Sequence, residues 1–181
     1  MSNWGDYCTY CGEALSGPFP RKCMQHHITY ASPVTVGVAL QPVQCEDRTG
    51  LLVVQRGINP GKGHFALPGG FADQRETANT TALRELFEET LVKNSRAIYF
   101  CEDLGGSHND KDPRCHTMYF YAMPLLQKQA INFDFHDTEV QTLQLVFLSD
   151  DKNGLQTIHG NKIELCFATH HSAAISFLQQ Q

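Results

Sequence analysis

The chain is short of several things, and each shortage excludes a class of protein. It has no long hydrophobic run. Its longest apolar stretches, such as Val34 to Leu40 and Met118 to Met123, fall far below the ~20 residues that a membrane-spanning helix requires, so no membrane partner is expected. The start, Met1-Ser-Asn-Trp-Gly-Asp-Tyr, lacks the basic and apolar regions of a secretory signal. Cations are also scarce, with 14 Lys plus Arg against 19 Asp plus Glu and a formal net charge of −5. Sequence-independent binding to duplex nucleic acid relies on neutralising phosphates, and this balance disfavours it. An even cysteine count is missing too, since there are seven, scattered in a way that argues against a secreted disulfide framework. These shortages together predict a cytoplasmic protein. Hydrophobic residues at 41 % are enough for a packed core, and 181 residues suit one ordinary domain with a small appendage.

Residues 1–31 form that appendage. They hold three of the cysteines and few aliphatic residues, so a core cannot stabilise them and a staple is needed. Cys8-Thr-Tyr-Cys11 precedes Cys23-Met-Gln-His26-His27, and two ligand pairs joined by a short loop suit a tetrahedral structural Zn²⁺. The expected set is Cys8, Cys11, Cys23 and His26, with His27 as the rival fourth ligand. Only Arg21 and Lys22 are cationic in this stretch, which argues against nucleic-acid binding by it.

Residues 32–181 read as an α/β or α+β sandwich rather than a bundle. Strands are expected at Thr35 to Leu40, Leu51 to Val54, Ala97 to Phe100, His116 to Met123 and Leu143 to Leu148, with Glu46 to Gly50 as a turn. A polar loop is expected from Glu102 to Pro113. A helical pattern covers 77–92, and a final helix about 162–178 is expected to cover the sheet or join a homodimer interface.

The first helix carries the chemistry. At about 100° per residue, Glu85, Glu88 and Glu89 share one sector roughly 100° wide. Three carboxylates on one face repel one another unless a cation lies among them. Oxygen donors suit a hard divalent ion, Mg²⁺ or Mn²⁺. Arg84 can pair with Glu88 four residues on, and Glu76 can complement the helix dipole or reach Arg84.

The run Gly70, Glu76, Arg84-Glu85-Leu86, Glu88-Glu89 resembles the Nudix box, and Gly61-Lys-Gly63-His-Phe65-Ala-Leu-Pro68-Gly69 resembles the strand and turn that enter it. The resemblance implies a Nudix α/β/α sandwich with a mixed sheet over about 32–150. It also implies hydrolysis of a nucleoside diphosphate linked to another moiety. Glu85 and Glu89 would be direct metal ligands, with the Gly69 carbonyl contributing. The general base would be a box Glu or a later loop acid, here Glu139 with Asp137 beside it. Two positions depart from the family's pattern. Arg75 and Leu91 stand where Gly is usual, so the helix is expected to run on to about Asn94, which can take a left-handed cap.

A zinc ribbon ahead of the Nudix domain resembles a subset that includes NADH pyrophosphatases. The Ser-Gln-Pro-Trp-Pro-Phe-Pro array of those enzymes is absent after the box. Lys111-Asp-Pro-Arg114-Cys-His116 instead resembles the ADP-ribose pyrophosphatase type, which implies ADP-ribose or a related nucleotide sugar or dinucleotide as substrate. Arg56, Lys62 and Arg114 are candidate phosphate contacts, and Phe65 and Tyr119 candidate stacking platforms. Two alternatives stand beside this reading, a nucleotide-sensing regulator without turnover and an RNA-cap hydrolase.

Overall fold

The computed structural model describes residues 6–30, 33–103 and 116–181. They fall into two compact units, one built on the chain up to Val34 and the other of Thr35–Asp103 with Met118–Gln181. The first unit has almost no core. Its two short strands, β1 (Arg21–Lys22) and β2 (Ile28–Thr29), pair antiparallel. Turn hydrogen bonds such as Cys8 N–H to the Glu13 carbonyl, 2.7 Å, and Gly12 N–H to the Cys8 carbonyl, 2.9 Å, fold the segment around its cysteines.

The second unit is α/β. In chain order it contains β3 (Val34–Leu40), β4 (Pro42–Cys45), β5 (Arg48–Arg56), β6 (Phe65–Ala66), β7 (Gly69–Phe71), α1 (Ala78–Thr90), β8 (Ile98–Asp103), β9 (His116–Ala122), β10 (Leu126–Gln127), β11 (Val140–Leu148), β12 (Leu155–Gln156), β13 (Lys162–Ile163) and α2 (Ala168–Leu178). One sheet runs β10-β4-β5-β11-β12-β13 with β6 beside β5, and the other runs β7-β3-β9-β8. The β10–β4 pair is parallel and the β4–β5 and β5–β11 pairs antiparallel, so the sheet is mixed.

Side chains alternate between strand faces, and here both faces are apolar. Leu51 and Val53 join Val36, Val38 and Leu40 in one core cluster with Ala173, Ala174 and Phe177 of α2. Leu52 and Val54 join Ala39 in the other, with Ala82 and Leu86 of α1. The central strands are therefore covered on both sides, as the near-continuous hydrophobic run Leu51-Leu52-Val53-Val54 requires. Helix α2 covers the sheet, the first of the two roles expected for it.

Three boundaries differ from expectation. The turn between β4 and β5 is only Glu46-Asp47, because Cys45 already pairs with Arg48 and Glu46 takes the left-handed turn position (φ 54°). The last helix starts at Ala168, since Lys162–Ile163 is spent pairing with β12. Helix α1 ends at Thr90, not near Asn94. Leu91 itself is the left-handed cap (φ 60°), its N–H donating to the Phe87 carbonyl, while the Asn94 amide donates to Gln41 Oε1 at 2.6 Å.

Arg75 is left-handed as well (φ 74°). Both positions that depart from the family's glycine pattern thus keep the backbone shape that favours glycine. A side chain in that region costs roughly 1–2 kcal/mol, partly offset because glycine has more freedom to lose on folding. Leu91→Gly is therefore expected to stabilise the protein by about 0.5–1 kcal/mol, read as a higher urea midpoint at constant slope.

Candidate active site

Helix α1 is capped by Thr77, whose hydroxyl accepts from the Thr80 N–H while the Thr80 hydroxyl accepts from the Thr77 N–H. This capping box sets where each later carboxylate points. Glu76 lies just outside the helix. Its carboxylate accepts from the Asp73 N–H at 2.9 Å, from the Thr81 hydroxyl at 3.1 Å, and from Arg84 Nε and Nη2 at 2.9 and 3.0 Å. The Arg84 guanidinium holds this carboxyl down to about 2.

Arg84 is the clamp of the site. Its Nη1 also donates to Glu85 Oε1 and Glu88 Oε2, each at 2.8 Å, and Nη2 donates to the Phe71 carbonyl at 3.0 Å. One planar fork thereby fixes three carboxylates and the strand β7 beside them. The Glu85 carboxylate lies against Gly70: a Cβ there would stand 2.6 Å from Glu85 Cδ, so a larger residue would push this carboxylate aside.

Glu89 is the buried member, 8 % exposed. Gly69 N–H donates to its Oε2 at 3.0 Å. Burial, helped by the nearby charges of Glu85 and Glu139, pushes its carboxyl up to about 8 despite the Gly69 hydrogen bond and Arg56. Burial likewise raises Glu85. This crowding is the test of fit for a divalent cation. The donors are all carboxylate oxygens, they hold excess negative charge in a partly dry site, and a hard cation relieves that repulsion.

The other expected contacts are dispersed. Glu139 is exposed at the entry to β11, and its charge acts on both Glu85 and Glu89. Arg56, at the end of β5, donates from Nε to the Pro60 carbonyl at 2.7 Å and lies over the Phe167 ring at 5.4 Å. Its charge reaches Glu89. Lys62 is exposed on the 57–64 loop. Arg114, with the rest of the run from Lys111 to Cys115, lies outside the described residues, as does most of the expected 102–113 loop. Phe65 packs against the core and Tyr119 is half-buried.

Sequence reading gave His170 no role at this site. It is 4 % exposed, and its Nδ1 accepts the Leu67 N–H at 3.2 Å. Burial, with the Arg56 charge adding to it, pushes its ring down to about 3. No local pattern marks it, because its partner lies 103 residues away.

In the amino-terminal unit Cys8, Cys11, Cys23 and His27 present ligand atoms all within 4.8 Å of one another. Cys8 Sγ lies 3.7 Å from His27 Nδ1, and Cys11 Sγ 3.8 Å from Cys23 Sγ. The fourth member is His27, not the expected His26. His26 occupies the left-handed position (φ 69°) of a tight turn, its N–H donating to the Cys23 carbonyl, and the chain returns so that Cys23 N–H meets the His27 carbonyl. Burial opposes ionisation of Cys8, but the N–H groups of Tyr10 and Cys11 bring its thiol down to about 6. Three thiols and an imidazole at this spacing are compatible with zinc.

Among the described residues no helix is long and apolar enough to cross a membrane. Residues 32–162 match the family model described as NUDIX domain. An ADP-ribose pyrophosphatase from Methanocaldococcus jannaschii is 40 % identical over 72 residues, covering 38 % of each chain. The ADPR responsive transcriptional repressor NtrR of Acinetobacter baylyi is 31 % identical over 116 residues, covering 62 % of this chain and 42 % of the repressor. The chain thus spans well under half the length of these curated relatives. Among solved structures, a NUDIX hydrolase from Nitrosomonas europaea superposes with a TM-score of 0.59 at 19 % identity over 97 % of this chain and 92 % of that one. The NUDIX domain of Shewanella oneidensis NrtR, complexed with ADP ribose, gives 0.52 at 24 % identity over 63 % and 72 %.

Proposed function

This chain belongs to the Nudix family, and from that premise we propose that it is a divalent-cation-dependent pyrophosphohydrolase. Its substrate is a nucleoside diphosphate linked to another moiety, with ADP-ribose first and related nucleotide sugars or dinucleotides next. The observation that carries the proposal is the carboxylate cage: Glu76, Glu85 and Glu88 clamped by Arg84, with Glu89 held by the Gly69 N–H. Crowded carboxylates of this kind support metal-assisted hydrolysis.

Glu85, Glu88, Glu89 and the Gly69 carbonyl would hold Mg²⁺ or Mn²⁺. When bound, the cation supplies neutralisation of the pyrophosphate charge and activation of the attacking water. Arg84 keeps the carboxylates apart and aimed, so they need no reorganisation during the reaction. Glu89 would meet such a cation as its carboxylate. Glu139 is the loop acid we assign to accept the proton of the attacking water. The water oxygen bonds to one phosphorus, the bridging P–O bond breaks, and a nucleoside monophosphate and a phosphorylated partner leave. Arg56, Lys62 and Arg114 are assigned to the substrate phosphates.

The second reading is a nucleotide sensor, favoured by the similarity to the ADPR responsive repressor. A panel of ADP-ribose, NADH, a dinucleoside polyphosphate, a nucleoside triphosphate and capped RNA, assayed with Mg²⁺, separates the readings. AMP released from one of the small adenine compounds supports the enzyme and names its class. Decapping alone moves it to RNA. Tight ADP-ribose binding without products moves it to the sensor.

We also assign Cys8, Cys11, Cys23 and His27 to a structural Zn²⁺. Cys8→Ser is expected to lower zinc content from about one per chain to near zero by elemental analysis and to destabilise the amino-terminal unit. Unchanged zinc stoichiometry would remove the assignment.

A further inference from the structure

The segment Leu67-Pro68-Gly69 joins β6 to β7, two strands that belong to different sheets. It also delivers the Gly69 N–H to Glu89. A residue in such a gap has no continuous strand ladder to satisfy it, yet Leu67 is only 1 % exposed. A buried amide must find a partner elsewhere. The Pro68 carbonyl accepts the Ala39 N–H at 2.8 Å, the Gly69 N–H donates to Glu89 at 3.0 Å, and the Leu67 N–H donates to His170 Nδ1 at 3.2 Å.

The His170 ring is well fixed. It stands edge-on to Phe120 at 5.7 Å and to Phe167 at 5.0 Å between centroids, and helix α2 carries it. For Nδ1 to accept, the ring must be neutral with its proton on Nε2. The contact therefore ties α2 to the turn that holds Glu89 in place, on the opposite side of the sheet from α1.

We propose that His170 is a positioning residue of the active site: its Nδ1 fixes the Leu67–Gly69 turn and so sets the Gly69 N–H against Glu89. This rests on the reading of the Glu85–Glu88–Glu89 cluster as a divalent-metal site. Groups that orient metal ligands typically change affinity by roughly 10–100-fold when removed.

The test is Mn²⁺ binding to the full chain, followed by the loss of the free-ion signal in electron paramagnetic resonance and needing no substrate. His170→Phe, which fills the space without an acceptor, is expected to weaken Mn²⁺ binding roughly tenfold or more. His170→Asn, whose Oδ1 stands near the place of Nδ1, is expected to recover most of it. A merely structural role would lower thermal stability in both variants without this split in affinity. In the wild type, ¹⁵N spectra during Mg²⁺ titration are expected to show His170 Nδ1 and the Leu67 and Gly69 amides shifting with one midpoint. That readout holds even if His170→Phe fails to fold. Equal Mn²⁺ affinity in all three proteins, or a Gly69 shift with His170 and Leu67 unmoved, would overturn the inference alone. No Mn²⁺ binding by the wild type would overturn the metal-site reading and this inference with it.

Discussion

Glu89→Gln is expected to lower turnover by about 10²–10³-fold, the scale seen when one group stabilising transition-state charge is lost, while leaving the metal-free fold at least as stable. The amide oxygen of Gln can still accept the Gly69 N–H, but it brings no negative charge to a buried position. The carboxyl of Glu89 sits near 8 in the folded protein against an ordinary 4.5. The folded state therefore keeps a proton that the unfolded chain releases. Stability from this group is complete below about pH 4.5 and is lost as pH rises through about 8.

Thermal melts of the metal-free protein should fall between pH 5 and 8.5, and those of Glu89→Gln should fall less. Added Mg²⁺ should recover the wild type in the alkaline half of that range. His170 acts in the opposite sense, because its depressed ring loses stability only as pH drops below 6.5. It is common to both proteins and cancels in the comparison. Parallel pH profiles for wild type and variant would contradict the account of Glu89.

Gly37→Ala should produce the largest loss of stability. Gly37 lies on β3 directly beneath α1, where a Cβ would collide with the Ala78 carbonyl and stand 2.7 Å from the Ala82 nitrogen and 2.8 Å from Thr81 Cβ. These neighbours are largely helix backbone, which cannot rotate aside, so α1 must lift from the sheet. Overpacking of this kind costs about 1–3 kcal/mol, or roughly 2–12 °C in melting temperature at ~2–4 °C per kcal/mol for a chain of this size. Gly37 also faces Gly70 across the β3–β7 pair. Lifting the helix would therefore separate Glu85 and Glu89 from the turn they contact, and Mg²⁺ affinity should fall along with stability. A melting temperature within 1–2 °C of wild type would show that the helix can adjust freely.

The parts of this molecule legible in its sequence are those encoded locally. The carboxylate face could be read because helical periodicity and the Pro68-Gly69-Gly70 turn fix Glu85, Glu88 and Glu89 relative to one another. The central strands could be read because Leu51 to Val54 is apolar on both faces. Pairing choices left weaker traces. Four-residue β4 hides before a two-residue turn, and Lys162–Ile163 pairs with β12 although its surroundings read as helix. Backbone strain was hidden for a different reason. Arg75 and Leu91 look like departures from a glycine pattern, and only the fold shows that the left-handed shape persists without the glycine. The choice between His26 and His27 turned on one tight turn. His170 needed a contact between chain segments far apart, and no spacing rule reaches that far.

The most direct test of the central claim is a single-turnover incubation of ADP-ribose with excess wild-type protein, in Mg²⁺ and in EDTA, beside Glu89→Gln. The account predicts one equivalent of AMP and one of ribose phosphate with wild type and Mg²⁺, and almost none in EDTA or with the variant. Stoichiometric binding of ADP-ribose that stays intact in Mg²⁺ would contradict it and leave a sensor in place of a hydrolase.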